Sequence, residues 1–386
     1  MTEGGSSHVA EHNFESVASR LRRFPDVEAP NLQAWDATDK LLLEAAAGVL
    51  TEHSDVAIIG DRFGALTLGM LSCHGRKHVR VHQDLITGAR ALRNNATALG
   101  IDGGYEQLPL GAALLEGADV VLMQLPKTLA ELEEVADAVA RYAAPHAVLF
   151  AGGRVKHMSL GMNAVLARYF SDVQPQLARQ KSRVLTARNP LPVPGPPPFP
   201  VTERNSELDL TVCARGAVFA GTKLDIGTRF LLEFLPSMPP ARRVVDLGCG
   251  TGILAAMYAR SHPNARVTAT DQSAAAVDSA GATAEANGLT GRITVLQDDA
   301  MRSLPDSCAD LILLNPPFHL GASVHAGAGT KMFEAAGRVL APHGELWTVF
   351  NRHLHYLPAL ERLVGPTRVA GQNAKFIVTV STPGGR

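Results

Sequence analysis

Short apolar runs alternate with longer segments of helical periodicity along the second half of the chain. In chain order these runs are RVVDL, ARVTATD, ITVLQD, DLILLN, ELWTVF and FIVTV. Each run is apolar at consecutive positions, which is typical of strands covered by helices on both faces of a sheet. The alternation therefore predicts an α/β fold built on a mostly parallel sheet.

The same pattern occurs twice in the chain. Residues 56–71 align with 244–259, residues 119–128 with 310–319, and residues 142–160 with 339–357. The spacings also agree, because Gly60 and Pro126 are 66 residues apart while Gly248 and Pro316 are 68 apart. Two tandem copies of one α/β unit explain this match, and chance similarity between common α/β patterns is the alternative.

A proline-rich stretch separates the two copies. Seven prolines lie between Asn189 and Pro200, and proline fixes φ and lacks the amide hydrogen that helices and central strands use. We therefore predict an extended linker over residues 188–205, with one domain over 1–187 and a second over 206–386. The alternative is a long loop inside a single domain.

Length and charge agree with two globular domains and locate one basic region. The chain has 386 residues and a formal net charge of −1, which excludes a polybasic tail protein. Residues 151–188 carry seven basic residues and one acid, whereas residues 1–150 carry 12 basic and 20 acidic residues. The basic segment predicts a surface for a polyanion, and a solvated basic helix face is the alternative.

The sequence gives no support for a disulfide framework, a metal site, a signal peptide or a membrane span. The four cysteines are scattered without a CxxC pair, and the 14 histidines form no HExxH motif. We therefore expect neither a disulfide framework nor a metal site. The N-terminus has no basic segment followed by an apolar one, and no apolar run reaches 18 residues, so we expect a soluble cytoplasmic protein without a membrane span.

A glycine-rich loop follows the strand RVVDL and carries an acid before its first glycine, in the order Asp246-Leu-Gly-Cys-Gly-Thr-Gly252. That acid repels a pyrophosphate but suits a cationic ligand such as S-adenosylmethionine (AdoMet). The next strand ends in Asp271, where a carboxylate can accept ribose hydroxyls, and Asp299 follows the third strand near the expected adenine. Each acid alone could be a helix cap or a surface charge, but together they predict a nucleoside site.

The fourth strand of the second copy ends in Asn315-Pro316-Pro317-Phe318. Consecutive prolines remove two backbone donors and leave carbonyl oxygens free to accept. The Asn315 side chain and the Pro316 carbonyl could hold one NH₂ group and aim its lone pair at an electrophile, while Phe318 stacks on a planar base. A proline turn packed by a phenylalanine is the alternative.

These motifs resemble the class I AdoMet-dependent methyltransferases that modify exocyclic or amide nitrogens. Further segments extend the resemblance over nearly the whole chain to the ribosomal RNA guanine-N2 methyltransferases of the RlmG and RsmC type; these segments are residues 21–43, 125–134, 218–232, 315–319 and 351–356. LQAW and NRHLHY look more like the branch that modifies 23S RNA (RlmG) than the 16S branch (RsmC). The resemblance implies two tandem Rossmann-like methyltransferase domains, the first degenerate and the second catalytic.

The resemblance also implies roles for individual residues. Asn315 and Pro316 are expected to hold a guanine 2-amino group, with Phe318 stacking on the base. The residues expected to contact AdoMet, or to lie in the segment that closes over it, are Asp246, Gly248, Gly250, Gly252, Asp271, Asp299, Asp225 and Phe219.

The first copy lacks the small loop residues and the asparagine that the second copy has. Its loop carries Arg62 and Phe63 where a cofactor needs small residues, and Gln124 stands where the second copy has Asn315. We therefore expect the first copy to bind no AdoMet and to hold RNA through a set of basic residues, namely Lys127, Arg154, Lys156, Lys181 and Arg183. A purely structural half is the alternative.

The resulting functional prediction is methyl transfer from AdoMet to the 2-amino group of a guanine in ribosomal RNA, with 23S RNA favoured over 16S RNA. We expect a monomer that uses neither a metal nor a membrane. The alternatives are a nitrogen methyltransferase acting on protein glutamine or DNA adenine, and a non-catalytic RNA-binding assembly factor.

Overall fold

The structure is a computed structural model that describes residues 14–317 and 322–384, with side chains omitted for 322–328. The chain divides into two compact units between Phe199 and Pro200. No helix within the described residues is both long and apolar enough to cross a membrane.

Unit 1 contains a seven-stranded sheet in the order β3-β2-β1-β4-β5-β7-β6. The first five strands pair in parallel, whereas β7 runs antiparallel to both β5 and β6. The strands are β1 (Val56–Ile59), β2 (Val79–His82), β3 (Tyr105–Gln107), β4 (Val120–Gln124), β5 (Val148–Arg154), β6 (Phe170–Pro175) and β7 (Ser182–Pro190).

Helices cover both faces of this sheet. Residues 14–18 form the described part of α1, and the others are α2 (Ala37–Ala47), α3 (Ala65–Cys73), α4 (Ile86–Leu99), α5 (Ala112–Leu115), α6 (Leu129–Tyr142) and α7 (Leu160–Leu166). Alternate residues of β1 face opposite cores, because Ile58 packs with α2, α3 and α4 while Ile59 packs with α5, α6 and α7. Asp36 caps α2 in a capping box with Asp39.

Unit 2 repeats this architecture with a sheet in the order β12-β11-β10-β13-β14-β16-β15. Its strands are β10 (Arg243–Leu247), β11 (Arg266–Asp271), β12 (Ile293–Gln297), β13 (Ala309–Leu314), β14 (Leu340–Asn351), β15 (Thr367–Gln372) and β16 (Phe376–Ser381). A separate two-stranded ribbon precedes them and consists of β8 (Val201–Asn205) and β9 (Leu210–Ala214).

The helices of unit 2 are α8 (Ile226–Leu232), α9 (Ile253–Ser261), α10 (Ala274–Ala286), α11 (Ala322–Val339) and α12 (Leu357–Leu363). One core contains Leu313 and Trp347 together with residues of α8, α9 and α10. The opposite core contains Leu314 and Phe350 with residues of α11 and α12. This places α8 over the end of β13, where the predicted Asn315 motif begins.

The two sheets have the same strand order, because adding nine to each strand number of the first sheet gives the order of the second. Five parallel strands are followed in each by an antiparallel pair. This topology confirms the predicted α/β fold of two tandem Rossmann-like domains.

The predicted linker bounds of 188–205 are too wide in the structure. Residues 188–190 belong to β7, where Pro190 pairs with Phe170, and residues 201–205 form β8. Proline is compatible with the end of a strand that needs no further ladder bond, so the proline count overestimated the length of the unpaired segment. The connecting stretch without helix or strand covers residues 191–200.

Candidate active site in unit 2

The glycine loop joins β10 to α9 at the carboxyl edge of the sheet. Gly248, Gly250 and Gly252 all have positive φ, at 73°, 54° and 76°. A Cβ atom at Gly252 would lie 3.0 Å from the Cβ of Ala280, whereas one at Gly250 would meet no described atom within 4 Å. Gly252 is therefore needed for close packing of α9 on α10, and Gly250 borders open space where a ligand can approach the backbone.

Asp246 lies beneath this loop and is completely buried. Its Oδ2 accepts the Ala255 amide at 2.9 Å, in the first turn of α9, where the N-cap residue Gly252 has no side chain to do so. Its Oδ1 is buried and has no hydrogen-bond partner among the described residues. The carboxylate thus anchors the loop and retains one free acceptor, which fits the amino group of a cationic ligand; the contact itself stays a prediction.

Burial is the main cause that raises the pKa of Asp246 from 3.8 to about 7; the hydrogen bond from the Ala255 amide opposes this shift, and the nearby Asp271 adds to it. Because the folded-state pKa exceeds the unfolded value, this group stabilises the fold below pH 4, and that stabilisation is lost as the pH rises through about 7. We expect Asp246→Asn, which keeps an acceptor for Ala255, to raise the free energy of unfolding at pH 8 by about 1–3 kcal/mol and to leave it nearly unchanged at pH 4.

Chemical denaturation between pH 4 and pH 8 measures this change. Asp278→Asn is the matched control, because Asp278 is an exposed acid on α10 and pairs only at the surface with Arg215. If the free energy of unfolding of Asp246→Asn varied with pH as that of the wild type does, the buried carboxyl could not be the source of the pH dependence.

Asp271 ends β11 beside the glycine loop, as predicted. Its Oδ2 accepts the Gly250 amide at 3.1 Å, and its Oδ1 accepts the Ser273 amide at 3.0 Å. These two bonds fix the carboxylate at the edge of the open space over Gly250. The position agrees with the predicted ribose contact, which stays a prediction.

Asp299 follows β12 and makes a contact that the sequence did not suggest. Its Oδ2 pairs with Nζ of Lys331 on α11 at 2.6 Å, and its side chain is only 7% exposed. The preceding Asp298 is bound to the amide and hydroxyl of Ser303, both at 2.7 Å. Any adenine contact at Asp299 therefore has to share the carboxylate with Lys331.

Asn315 immediately follows β13 and is held by the N-terminal turn of α8. Its Nδ2 donates to Oδ2 of Asp225 at 3.0 Å and to Oγ1 of Thr228 at 2.9 Å. Because a carboxylate can only accept, Asp225 fixes which end of the amide it contacts, namely the nitrogen. The Oδ1 atom also lies close to α8, but it is buried without a hydrogen-bond partner among the described residues.

Close approach at Gly227 makes this arrangement possible. A Cβ atom there would lie 3.0 Å from Oδ2 of Asp225 and 3.2 Å from Oδ1 of Asn315. Pro316 is buried next to Asn315, and its nitrogen carries no hydrogen to compete for acceptors. Phe318 lies outside the described residues, so its predicted stacking role stays a prediction.

The predicted cofactor-closing segment separates into two parts. Asp225 caps α8 by accepting the Gly227 and Thr228 amides at 2.9 and 3.1 Å, and the same oxygen holds Asn315. Its observed partners are thus protein groups at the Asn315 site, and its predicted contact with the cofactor is untested. Phe219 lies in the loop before α8 and is 59% exposed, and its predicted role at the cofactor stays a prediction.

Unit 1 repeats the amide contact but fills its own glycine loop. Gln124, in the place of Asn315, donates from Nε2 to Oδ1 of Asp39 on α2 at 2.5 Å. Asp61 in the loop accepts the amides of Gly64, Leu66 and Thr67, using the donors at the start of α3. Phe63 is buried beneath the guanidinium of Arg23, which lies 4.5 Å from its ring centroid. These contacts describe the loop of unit 1, and the absence of AdoMet binding by this copy stays a prediction.

The residues predicted to bind RNA lie along one edge of the unit 1 sheet. Lys127 follows β4, and Arg154 and Lys156 lie at and beyond the end of β5. Because β7 is antiparallel to β5, its beginning lies at the same edge, where Ser182 pairs with Arg154 and Arg183 with Gly153. Lys181 precedes this strand, with φ at 63°. Strand pairing therefore brings together five cations that are separated in sequence.

The basic segment 151–188 does not form the solvated helix face considered above, because most of its charges lie on β5, β6 and β7 and their connections. Three of its arginines are in surface ion pairs, Arg168 with Glu133, Arg179 with Glu44 and Arg188 with Asp172. Arg154 is 3.9 Å from Asp36. The cations with no ion pair among the described residues are Lys156, Lys181 and Arg183.

Sequence reasoning missed Thr228, Gly227 and Lys331. The internal repeat held a signal for the first two, because DATDKLLL at 36–43 matches DIGTRFLL at 225–232 and both helices contact the amide that ends the fourth strand. Nothing in the local pattern around Lys331 indicates its pairing with Asp299. Within residues 14–317 and 322–384, no cluster of three or more His, Cys, Asp or Glu side chains could hold a metal ion.

Comparisons with known proteins match both units. A family model described as "Methyltransferase small domain" matches residues 209–380, and one described as "RLMG N-terminal domain" matches residues 10–190. Ribosomal RNA large subunit methyltransferase G of Streptomyces avermitilis is 35% identical over 370 residues, covering 94% of this chain and 96% of that protein. The protein of the same name from Pseudomonas aeruginosa is 36% identical over 363 residues, covering 93% and 96%.

A solved structure has the same fold. The T. thermophilus 16S rRNA N2 methyltransferase RsmC, in complex with AdoMet and guanosine, superposes with a TM-score of 0.72 at 22% identity, covering 92% of this chain and 97% of that one. Its identity level supports the fold alone, whereas the first relatives exceed 30% identity over nearly their whole length. The chain therefore belongs to the ribosomal RNA large subunit methyltransferase G family.

Proposed function

We propose that this protein transfers a methyl group from AdoMet to the exocyclic 2-amino group of a guanine in 23S ribosomal RNA, giving N2-methylguanine. One observation carries the chemistry: the Asn315 amide is clamped by Asp225 and Thr228 so that a buried, unpartnered oxygen is presented at the end of β13. The naming of the relatives as large subunit enzymes favours 23S RNA over 16S RNA.

AdoMet supplies an electrophilic methyl group at the glycine loop. The residues of this chain bind and orient: Asp246, Gly250 and Asp271 surround the expected cofactor position, and Asn315 accepts a hydrogen of the guanine amine through Oδ1. The Pro316 carbonyl oxygen accepts a hydrogen bond from the second N–H of the amine. The two hydrogen bonds together direct the nitrogen lone pair at the methyl carbon. The transfer would release S-adenosylhomocysteine, and the methylated amine would lose its extra proton to water, so no strong base is required.

The target base has to leave its stack to reach this edge of the sheet, which costs a few kcal/mol in a helical region. The basic edge of unit 1, defined as Lys127, Arg154, Lys156, Lys181 and Arg183, would bind phosphates and offset part of that cost. An enzyme with this substrate would work in the cytoplasm, and we expect it to act as a monomer without a metal.

The hydrogen bonds from Asn315 to Asp225 and Thr228 lead to a prediction for Thr228. Thr228→Val keeps the size of the side chain but removes the acceptor, so the amide loses one of two bonds and samples other orientations. We expect kcat to fall about 10-fold, which corresponds to one net hydrogen bond. Thr228→Ser keeps the acceptor and should stay within about twofold of the wild type. Steady-state kinetics at saturating AdoMet give both values, and equal kcat for the valine and serine variants would argue against the clamp.

The basic edge gives a second prediction. Combined charge reversal of Lys181 and Arg183 to glutamate should raise the KM for RNA on the order of 10-fold or more at low salt, with little change in kcat. Lys77→Glu is the matched control, because Lys77 is exposed before β2, at the opposite edge of the same sheet. An unchanged KM in the double variant, or an equal increase in the control, would remove the basic edge from RNA binding.

Label transfer from tritiated AdoMet to separately prepared 23S and 16S RNA, each as naked RNA and as subunit particles, tests the substrate. The proposal predicts label in 23S RNA. Label confined to 16S RNA would support the RsmC-like alternative. Binding of AdoMet without label in any RNA would favour the protein-glutamine, DNA-adenine or assembly-factor alternatives.

A further inference from the structure

A second buried amide oxygen without a partner lies near the Asn315 site. Asn351 is the last residue of β14 and is 9% exposed. Its Oδ1 has no hydrogen-bond partner among the described residues, and the side chain makes no cap bond to the short helical turn Arg352–Leu354 that follows. A buried acceptor left unsatisfied is costly, and one at the edge of a candidate site can be satisfied by a donor that binds there.

Strand register places Asn351 on the same face of the sheet as Asn315. Leu313 pairs with Trp347, and both belong to the core that α8 covers. Because side chains alternate along a strand, Asn315 follows Leu313 on that face, and Asn351 follows Trp347 and Val349. Asn351 also pairs with Phe376, which lies in the same core.

The two asparagines are close enough to act on one base. The pairing of Leu314 with Thr348 puts Asn351 on the neighbouring strand and two residues nearer the carboxyl edge than Asn315. With strands 4.8 Å apart and a rise of about 3.3 Å per residue, the two Cα atoms are separated by about 8 Å. Two side chains at that separation can reach adjacent groups on one edge of a purine.

Unit 1 shows where a side chain at this position points. Arg154 is the last residue of β5 and precedes the short helical turn Val155–His157, so it corresponds to Asn351. Its Nη1 lies 3.9 Å from Oδ2 of Asp36, which caps α2 as Asp225 caps α8. The side chain at the end of this strand is therefore directed at the helix cap, and in unit 2 that cap is what holds Asn315.

The same comparison indicates the chemistry of the missing donor. A guanidinium group has N–H donors arranged about one carbon, as has the N1–C2–N2 edge of guanine. In unit 1 the chain supplies such a group itself, through Arg154. In unit 2 the corresponding residue is a short amide with a free acceptor, which leaves room for a base.

We propose that Asn351 selects guanine by accepting its N1–H through Oδ1, while Asn315 and Pro316 hold the 2-amino group. The proposal rests on the function proposed above and assigns its base specificity. Guanine carries a hydrogen on N1, whereas 2,6-diaminopurine has the same 2-amino group but a bare N1 acceptor. A site built around a buried acceptor rejects a base that lacks the matching donor.

The test compares guanine with 2,6-diaminopurine at the modified position of a 23S RNA fragment, after that position has been mapped with the wild-type enzyme. We expect the wild type to prefer guanine on the order of 100-fold in kcat/KM. Asn351→Ala should lower kcat/KM for guanine about 10-fold or more and change that for diaminopurine less than about threefold, so the preference shrinks. The affinity for AdoMet should be unchanged.

Thr348→Val is the matched control. Thr348 is fully buried on the same strand, and its Oγ1 also has no partner among the described residues, but it lies on the opposite face of β14. It should keep the preference for guanine. Equal losses on both bases in Asn351→Ala would indicate a purely structural role and overturn the proposal.

The wild-type comparison stands even if the alanine variant does not fold. Equal kcat/KM for the two bases in the wild type would by itself overturn the role of Asn351 while leaving guanine methylation intact. An absence of methylation on the guanine fragment would instead contradict the proposed function and the specificity residue with it.

Discussion

Asn315→Ala should lower kcat on the order of 100-fold or more while the enzyme still binds AdoMet. The Asn315 amide is the group that the clamp on α8 orients, with its Nδ2 bound to Asp225 and Thr228 and its Oδ1 free. Removing it leaves the target amine without its principal acceptor, so the lone pair is no longer directed at the methyl carbon. The glycine loop lies on other strands and should keep its shape.

Single-turnover kinetics on 23S RNA and calorimetric titration with AdoMet measure the two effects separately. Asn94→Ala is the matched control, because Asn94 is an exposed asparagine of α4 in unit 1. A kcat for Asn315→Ala within about threefold of the wild type would remove the amide from the reaction.

Asp271→Ala should weaken AdoMet binding about 100-fold. The carboxylate stands at the end of β11, fixed by the Gly250 and Ser273 amides at 3.1 and 3.0 Å. Two hydrogen bonds from ribose hydroxyls to a charged acceptor contribute about 3 kcal/mol or more, and that free energy corresponds to about two orders of magnitude in Kd.

The matched control for this loss is Asp278→Ala on α10, whose carboxylate is exposed and pairs with Arg215 at 3.3 Å. Calorimetry on both variants, with thermal unfolding to check that each is folded, gives the comparison. A Kd for Asp271→Ala equal to that of the control would show that the ribose lies elsewhere.

The sequence predicted the strand ends because parallel strands place their carboxyl ends at one edge. Asp246, Asp271 and Asn315 come at or just after buried runs, and the structure brings all three to that edge. The internal repeat likewise predicted two copies of one α/β unit, and the two sheets do share their strand order. These inferences needed only the periodicity of apolar residues and the spacing of glycines, which local sequence records.

The contacts that orient the site could not be obtained in the same way. Asp225 and Thr228 lie 90 and 87 residues before Asn315. The repeat marks residues 225–232 as equivalent to 36–43, but it does not specify which of these side chains contacts Asn315. Lys331 and Asp299 are likewise 32 residues apart on different elements. Such contacts depend on how α8 and α11 pack on the sheet, which apolar periodicity alone does not determine.

For the linker, the sequence signal was strong but was applied to too many residues. The run of prolines predicted an unpaired segment that is longer than the one in the structure. Proline excludes helix, but Pro190 still pairs with Phe170 at the end of β7. Val201–Asn205 then forms a ribbon with Leu210–Ala214, since extended residues beside a proline-rich segment can still find a partner strand. The prolines located the boundary but not its width.

Nucleoside analysis of 23S RNA after reaction with the wild-type enzyme tests the central claim most directly, because it identifies the atom that receives the methyl group. The RNA is prepared without modifications, incubated with AdoMet, digested to nucleosides and separated against standards with mass detection. An exocyclic amine held by Asn315 and Pro316 predicts N2-methylguanosine as the sole new product. Methyl groups found on guanine N1, on adenine or on a ribose hydroxyl would contradict the account.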